Sequence, residues 1–335
     1  MGKFLFYFSI ICVFSWSCNR NSETDKFQSN RDNIVNVREK VKEIETGDVF
    51  IGSISRLYMI GEYLLISDYK SFDKLIRIFD KNNFDYITSI ANKGQGPGEI
   101  TNMGHIAVNE TDGKFYVSDH GKLNILSYDI DSVFADTAYM PEVKFKFTKT
   151  IFPDRYDYIN DTLCISRIIE PVGNSDFQQT VAKFNMLTGE ITPMKYTHPN
   201  IKKKRTLFAA SMEHGLYVEV FSLYDLITIC SIDGDLKYNI YGPMWDSKGT
   251  RNIHFHYKVV FYYDKIIIAY SGGNYNNDEY YPTKFLVFNL NGDYLTTLDV
   301  GYKITDFCLD KGNNRIIMSL NDVMQFAYLD LYGLI

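Results

Sequence analysis

The sequence predicts an all-β chain folded as a six-bladed β-propeller, with four strands to a blade and the last blade closed by an N-terminal strand. Three observations carry this. The 335 residues hold 26 Tyr and 24 Phe but nine Ala, a bias toward strand formers over helix formers. A strong apolar alternation returns six times, centred on Ile66, Val117, Ile165, Val218, Ile267 and Ile317, at spacings of 51, 48, 53, 49 and 50 residues. Four short strands and their turns fill about 40–50 residues, the period of a propeller blade. Finally, the six units repeat one internal order of strands and turns.

The first element is an address. Lys3 precedes an apolar run from Phe4 to Trp16, shorter than the roughly 20 residues that span a bilayer. It reads as a signal-peptide core, outside fold reasoning. The run ends Ser15-Trp16-Ser17-Cys18, which resembles a bacterial lipoprotein signal. That resemblance implies cleavage before Cys18 and a lipid on its thiol. The expected organisation is a signal at 1–18, a flexible polar tether at 19–32, and a single propeller domain at 33–335.

Asn33–Glu45 carries Ile34, Val35, Val37, Val41 and Ile44 ahead of the first unit, while the sixth unit runs out of chain after three strands. A ring with an open edge invites aggregation, so this segment is expected as the outer strand of the last blade. The stretch Val37–Ile44 also fits a helical period, so a short helix is the alternative.

Within a unit, a first strand (Ile54–Ile60, His105–Val108, Ile253–Tyr262) leads to the strong second strand. The third ends in an aromatic and Asp or Asn, as in Ile78-Phe79-Asp80 and Val287-Phe288-Asn289. Asp233-Gly234 and Asn291-Gly292 supply hairpin chemistry, and a fourth strand such as Tyr294–Val300 follows. Lys93-Gly-Gln-Gly-Pro-Gly-Glu-Ile100, Phe115-Tyr-Val-Ser-Asp119 and Leu123–Asp129 resemble an NHL-type repeat. The overall plan is similar to the TolB-like, six-bladed propeller lipoproteins of Bacteroidetes. The resemblance implies architecture and an outer-membrane, periplasmic or surface-facing location, and no assigned activity.

Composition narrows the chemistry. A net charge of −6 excludes a nucleic-acid binder that relies on a basic surface. Cys164, Cys230 and Cys308 are too few and too far apart for a disulfide framework or a zinc motif, and read as buried free thiols. The glycine-rich Gly94–Glu99 lacks the Lys-Ser/Thr of a phosphate loop and reads as a blade-to-blade turn. Asp68 and Asp119 follow equivalent second strands and read as turn caps. His254 and His256 stand at i and i+2, where two metal ligands would fit, but nothing in sequence completes a shell.

No catalytic set, cofactor or metal site is therefore predicted. The candidate binding residues come from long loops of the face that carries blade-to-blade and second-to-third-strand connections: Trp245, Tyr275, Asp278, Glu279, Tyr280 and Tyr281, with Lys203 and Arg205 of a basic run. Aromatic and polar groups on loops of a rigid ring suit an envelope protein or polysaccharide. The expected molecule is a lipid-anchored monomeric binding module touching the membrane through its lipid alone. The alternative is a metal-dependent hydrolase or lyase of the propeller-lactonase type, working in the channel through a set such as His105, Asn109, Arg155, His256 and Asp306.

Overall fold

The computed structural model describes residues 23–335 apart from 137, 149–151, 173–176 and 251. Cys18 and the signal sequence lie outside the described residues. Three short strands come first: β1 (Asp25–Phe27), β2 (Ile34–Asn36) and β3 (Val41–Glu43). Blade one is β4 (Ser55–Ile60), β5 (Tyr63–Asp68), β6 (Lys74–Asp80) and β7 (Tyr86–Asn92). Blade two is β8 (Met103–Asn109), β9 (Lys114–Asp119), β10 (Asn124–Asp129) and β11 (Glu142–Lys146), with helix α1 (Ile130–Ala135) inserted before its last strand.

Blade three is β12 (Pro153–Asn160), β13 (Leu163–Pro171), β14 (Phe177–Phe184) and β15 (Ile191–Pro193). Blade four is β16 (Thr206–Ser211), β17 (Leu216–Phe221), β18 (Leu226–Ser231) and β19 (Leu236–Tyr241). Blade five is β20 (Ile253–Tyr262), β21 (Lys265–Asn274), β22 (Lys284–Asn289) and β23 (Tyr294–Asp299). Blade six is β24 (Ile304–Asp310), β25 (Arg315–Leu320) and β26 (Phe326–Asp330), and β3 pairs antiparallel with β26 as its fourth strand.

The ring is thus six four-stranded blades, closed as expected by a strand from the N-terminus. Burial follows the predicted alternation: Ile66, Val117, Ile165, Val218, Ile267 and Ile317 are each 0–1% exposed. The second strand of a blade is covered on both faces by neighbouring blades, which is why it gave the strongest apolar signal. Blade six meets blade one through Leu57 N–H to Asp306 Oδ2 at 2.8 Å and Gln325 Nε2 to the Ile51 carbonyl at 2.8 Å.

The N-terminal segment departs from expectation. Residues 25–32, read as part of a flexible tether, lie along blade four. β1 adds to β19 in parallel, Phe27 stacks on Tyr241 at 4.5 Å, and Lys26 reaches Asp293 at 2.7 Å. β2 then adds to β23 of blade five, and one 3₁₀ turn at Arg38–Lys40 carries the chain to β3. The segment is a strap across three blades and forms no longer helix. Blade edges supply unpaired backbone groups that a polar chain can satisfy, so docking needed no apolar pattern.

The local readings of the turns hold. Asp119 Oδ atoms accept the backbone N–H of Thr101, Asn102 and Gly121, each at 2.9 Å. Asp68 takes those of Gly52 at 2.9 Å and Lys70 at 3.0 Å. Gly94–Glu99 joins β7 to β8, with Gly98 at φ +72°. Cys164, Cys230 and Cys308 are buried free thiols; burial pushes Cys164 up to about 12 and Cys230 to about 11.

Candidate functional site

Each first strand begins at one face of the ring and runs down the channel. Charged residues near those beginnings therefore converge on the channel mouth. Arg56 is the second residue of β4, Arg155 the third of β12, and Arg205 immediately precedes β16. Arg167 enters from β13. Together they line a cavity of 610 Å³, with Tyr257 of β20, Tyr275 and Tyr281 of the loop after β21, and Leu207, Leu223 and Ile304 as apolar lining. Arg155 also lines two smaller cavities, one of 230 Å³ among the strand beginnings of blades one to three and one of 250 Å³ farther along the channel.

The guanidiniums differ in what holds them. Arg167 forms a two-pronged pair with Asp154, Nε to Oδ1 at 2.9 Å and Nη2 to Oδ2, and donates Nη1–H to the Thr206 carbonyl at 2.7 Å. Arg56 approaches Asp306 at 3.6 Å, but that carboxylate is bound more closely by Lys258 at 2.9 Å. Burial opposes ionisation of Asp306, yet Lys258 and Arg56 outweigh it and hold its pKa below the ordinary value. Arg205 lies over the Phe177 ring at 3.7 Å. Arg155 makes no hydrogen bond or ion pair among the described residues. Its pKa is lowered by burial first, then by the like charges of Arg56 and Arg167.

Four guanidiniums thus line this cavity with no Asp or Glu among its described lining residues, while Asp154, Asp157 and Asp306 lie nearby and the last serves Lys258 first. The imbalance leaves positive potential in a concave, partly dry site, where charge interactions are least screened. An arginine fork matches a carboxylate or sulfate group in two parallel hydrogen bonds.

One wall is aromatic. His254 packs on Tyr257 at 4.3 Å and on Tyr275 at 6.2 Å; Tyr275 meets Tyr280 at 5.0 Å, and Tyr280 stacks on Tyr281 at 4.3 Å. Burial lowers His254 to about 4, so this imidazole is neutral at pH 7 and adds no charge to the wall.

Three of the sequence candidates, Arg205, Tyr275 and Tyr281, line the cavity, and Tyr280 braces the other two tyrosines. Trp245 does not line it. Its ring packs beside Tyr241 at 4.9 Å, His198 at 5.6 Å and Tyr224 at 5.9 Å, within the rim of blade four. Lys203 is exposed. Asp278 and Glu279 belong to a 3₁₀ turn, and Glu279 contributes its backbone carbonyl to Ser271 Oγ at 2.7 Å.

Sequence reasoning missed Arg56, Arg167 and Tyr257 as site residues. The available signal was a cation inside an otherwise apolar strand, as in Ile54-Ser-Arg56-Leu-Tyr. Of the channel set, His105 and Arg155 face the channel and Asp306 is buried beside it. Asn109 instead donates to Asp112 at 2.9 Å, capping a turn. His256 is fully buried between blades, donating Nδ1–H to the Phe221 carbonyl at 2.9 Å. Register shifts on either side of His256 part it from His254. Among the described residues, no group of three or more His, Cys, Asp or Glu is gathered to hold a metal.

A family model described as 6-bladed beta-propeller matches residues 23–221. No curated protein matches the chain. Solved structures share the fold at low identity. A DUF4221 family member from Bacteroides vulgatus superposes with TM-score 0.59 at 13% identity, over 86% of this chain and 93% of its own. A Bacteroides fragilis protein named as exported gives TM-score 0.55 at 11%, over 89% and 88%. The Cps50 (Swd1) propeller domain of Myceliophteria thermophila gives 0.53 at 8%, over 86% and 98%. At these identities the likeness is one of fold, and chemistry has to be argued from the site.

Proposed function

We propose that this chain, which belongs to the DUF5128 family of 6-bladed β-propellers, is a lipid-anchored binding module of the cell envelope. It holds a protein or glycan partner on its loop-rich face, with the channel-mouth cavity as the centre of contact. The carrying observation is the convergence of Arg56, Arg155, Arg167 and Arg205 on one cavity in a chain of net charge −6. Keeping Arg155 desolvated beside Arg56 and Arg167, with no carboxylate in ion-pair contact with it among the described residues, costs stability, and a bound anion would offset that cost.

Envelope location is supported by the apolar run Phe4–Trp16 ending at Cys18 and by the exported Bacteroides neighbour. The narrower kinship with TolB-like and NHL-repeat propellers rests on residues 93–129 and belongs to this proposal. The anchor is tested by replacing Cys18 with Ala, which should move the protein from the membrane to the soluble fraction. The site is tested by screening immobilised neutral, acidic and basic glycans and peptides against wild type and Arg155→Met. The expected outcome is a set of ligands retained by wild type and lost by the variant. Equal retention by both would remove the cavity from the function.

A further inference from the structure

Resting on that reading, we infer that the cavity takes an acidic saccharide: a pyranose bearing a carboxylate or sulfate group, bound with that group against Arg155. The charge calls for an anion, as argued above. The remaining chemistry of the walls selects what carries the anion.

The rings follow one another in tilted contacts, with Tyr280 stacked on Tyr281, and neighbouring centroids are 4.3–6.2 Å apart from His254 to Tyr281. No two of these rings stand apart as a slot into which a flat aromatic base could slide. The wall presents ring surface from one side, which suits the C–H face of a sugar. A nucleotide, read by stacking between rings and by its base edges, fits this wall poorly.

Beyond the arginines and tyrosines, the polar lining is largely hydroxyl and amide. Thr206 Oγ1 donates to the Val220 carbonyl at 3.1 Å and Thr305 Oγ1 to the Ser319 carbonyl at 3.0 Å. Each hydroxyl spends its proton inward and keeps acceptor lone pairs. Gln179 gives its amide oxygen to Thr206 N–H at 2.7 Å, so its amide nitrogen is the end left to donate. Acceptors, a donor and an aromatic face meet the alternating needs of ring hydroxyls. A carboxylate-rich peptide would use the arginines and meet the polar lining with its backbone, but it brings no sugar C–H face to the tyrosine wall. The 610 Å³ volume lies within the roughly 300–1,000 Å³ of small-molecule sites and exceeds what one sugar ring fills, so a disaccharide is the expected unit.

The test is calorimetric titration of wild type, Arg155→Met and Tyr281→Ala with five probes: digalacturonate, a sulfated chondroitin disaccharide, cellobiose, tetraglutamate and sodium sulfate. At least one acidic disaccharide should bind wild type tenfold or more tightly than cellobiose, tetraglutamate or sulfate. Arg155→Met should weaken it at least tenfold and Tyr281→Ala at least threefold, with circular dichroism unchanged. If Arg155→Met does not fold, Arg155→Lys keeps the charge, loses the fork and should also weaken binding.

Equal binding of cellobiose and the acidic disaccharides would overturn the inference. So would tetraglutamate matching them with Tyr281→Ala indifferent, although the arginine cavity would then survive as a binding site. If no acidic disaccharide binds but the broader screen still yields ligands lost in Arg155→Met, the saccharide class fails alone. If neither experiment yields such a ligand, both readings fall.

Discussion

Arg31 of the N-terminal strap places Nη1 2.9 Å from Oδ1 of Asp225 at the end of blade four, with both side chains buried. The Arg31 guanidinium also lies over Tyr270 at 5.4 Å and Phe288 at 5.8 Å, rings of blade five. One side chain from a segment without an apolar signature therefore ties two blades together. Asp225 is further fixed by Met244 N–H at 3.2 Å and has His256 Nε2 at 3.7 Å.

Removing Arg31 would leave Asp225 as a buried charge with its cation gone. Loss of one partner of a buried pair costs about 3–5 kcal/mol. Arg31→Met should lower unfolding stability in urea by that order, and Arg31→Met with Asp225→Asn should recover much of the loss. If the single variant unfolds like wild type, the strap is not held by this pair.

The turn at Asp119 makes a different demand. Its carboxylate is 1% exposed and accepts three backbone N–H groups at 2.9 Å. A buried donor left unmatched costs about 1–3 kcal/mol. Asp119→Ala should therefore destabilise by roughly 2–4 kcal/mol, and Asp119→Asn by less, since its amide oxygen still accepts. Equal midpoints for the two variants in thermal unfolding would show that the cap contributes through something other than its acceptors.

These contrasts show what a sequence makes legible. Asp119 could be read because it recurs at Asp68 in the same place, and repetition exposes a structural role. The blades could be read because Ile66 and its equivalents are buried on both faces, and burial on both faces writes a continuous apolar run. Arg31 could not be read. Its docking uses backbone edges, one ion pair and ring faces, none of which has a period. The site was half visible for a related reason. Tyr275 and Tyr281 sit in an insertion that composition marks, whereas Arg56 and Arg167 are single cations in strands, and only ring closure brings them within one cavity. Trp245 lies outside the cavity, half-buried against Tyr241, and a loop tryptophan looks the same in sequence whichever neighbour it packs on.

His256 sets a pH dependence. Burial first, with Arg31 adding to it, lowers its pKa to about 4, while Asp225 and the Phe221 carbonyl act the other way. In the unfolded chain an imidazole takes a proton near 6.5, so below that pH the unfolded state binds more protons. The folded state should thus keep its full His256 contribution above about 6.5 and lose it as pH falls toward 4. Asp157, raised by burial to about 6, works in the opposite sense, losing stability as pH rises from its ordinary value near 3.8 through about 6. Urea midpoints of wild type and His256→Asn between pH 7 and 4.5 separate the two. The difference between the curves should narrow on acidification. A constant difference would mean that the buried imidazole does not titrate as its surroundings require.

The channel mouth itself should behave as a site built for a ligand at the expense of the empty fold. Arg155 is desolvated, and the like charges of Arg56 and Arg167 act on it more strongly than the opposing Asp306, so its removal takes away a net unfavourable interaction. Most substitutions of a well-packed residue destabilise; Arg155→Met should instead leave the melting temperature unchanged or raise it. Sulfate then reverses the order. A ligand that binds the folded state stabilises it by RT ln(1 + [L]/Kd), about 1.4 kcal/mol at ten times Kd. Sulfate also stabilises proteins generally through exclusion from their surface, and that part is common to both chains. With ionic strength held constant by sodium chloride, wild type should gain more from sulfate than Arg155→Met does. Identical gains, or a melting temperature that drops several degrees on substitution alone, would mean that Arg155 is part of the scaffold and that its unmatched charge is compensated within the folded chain.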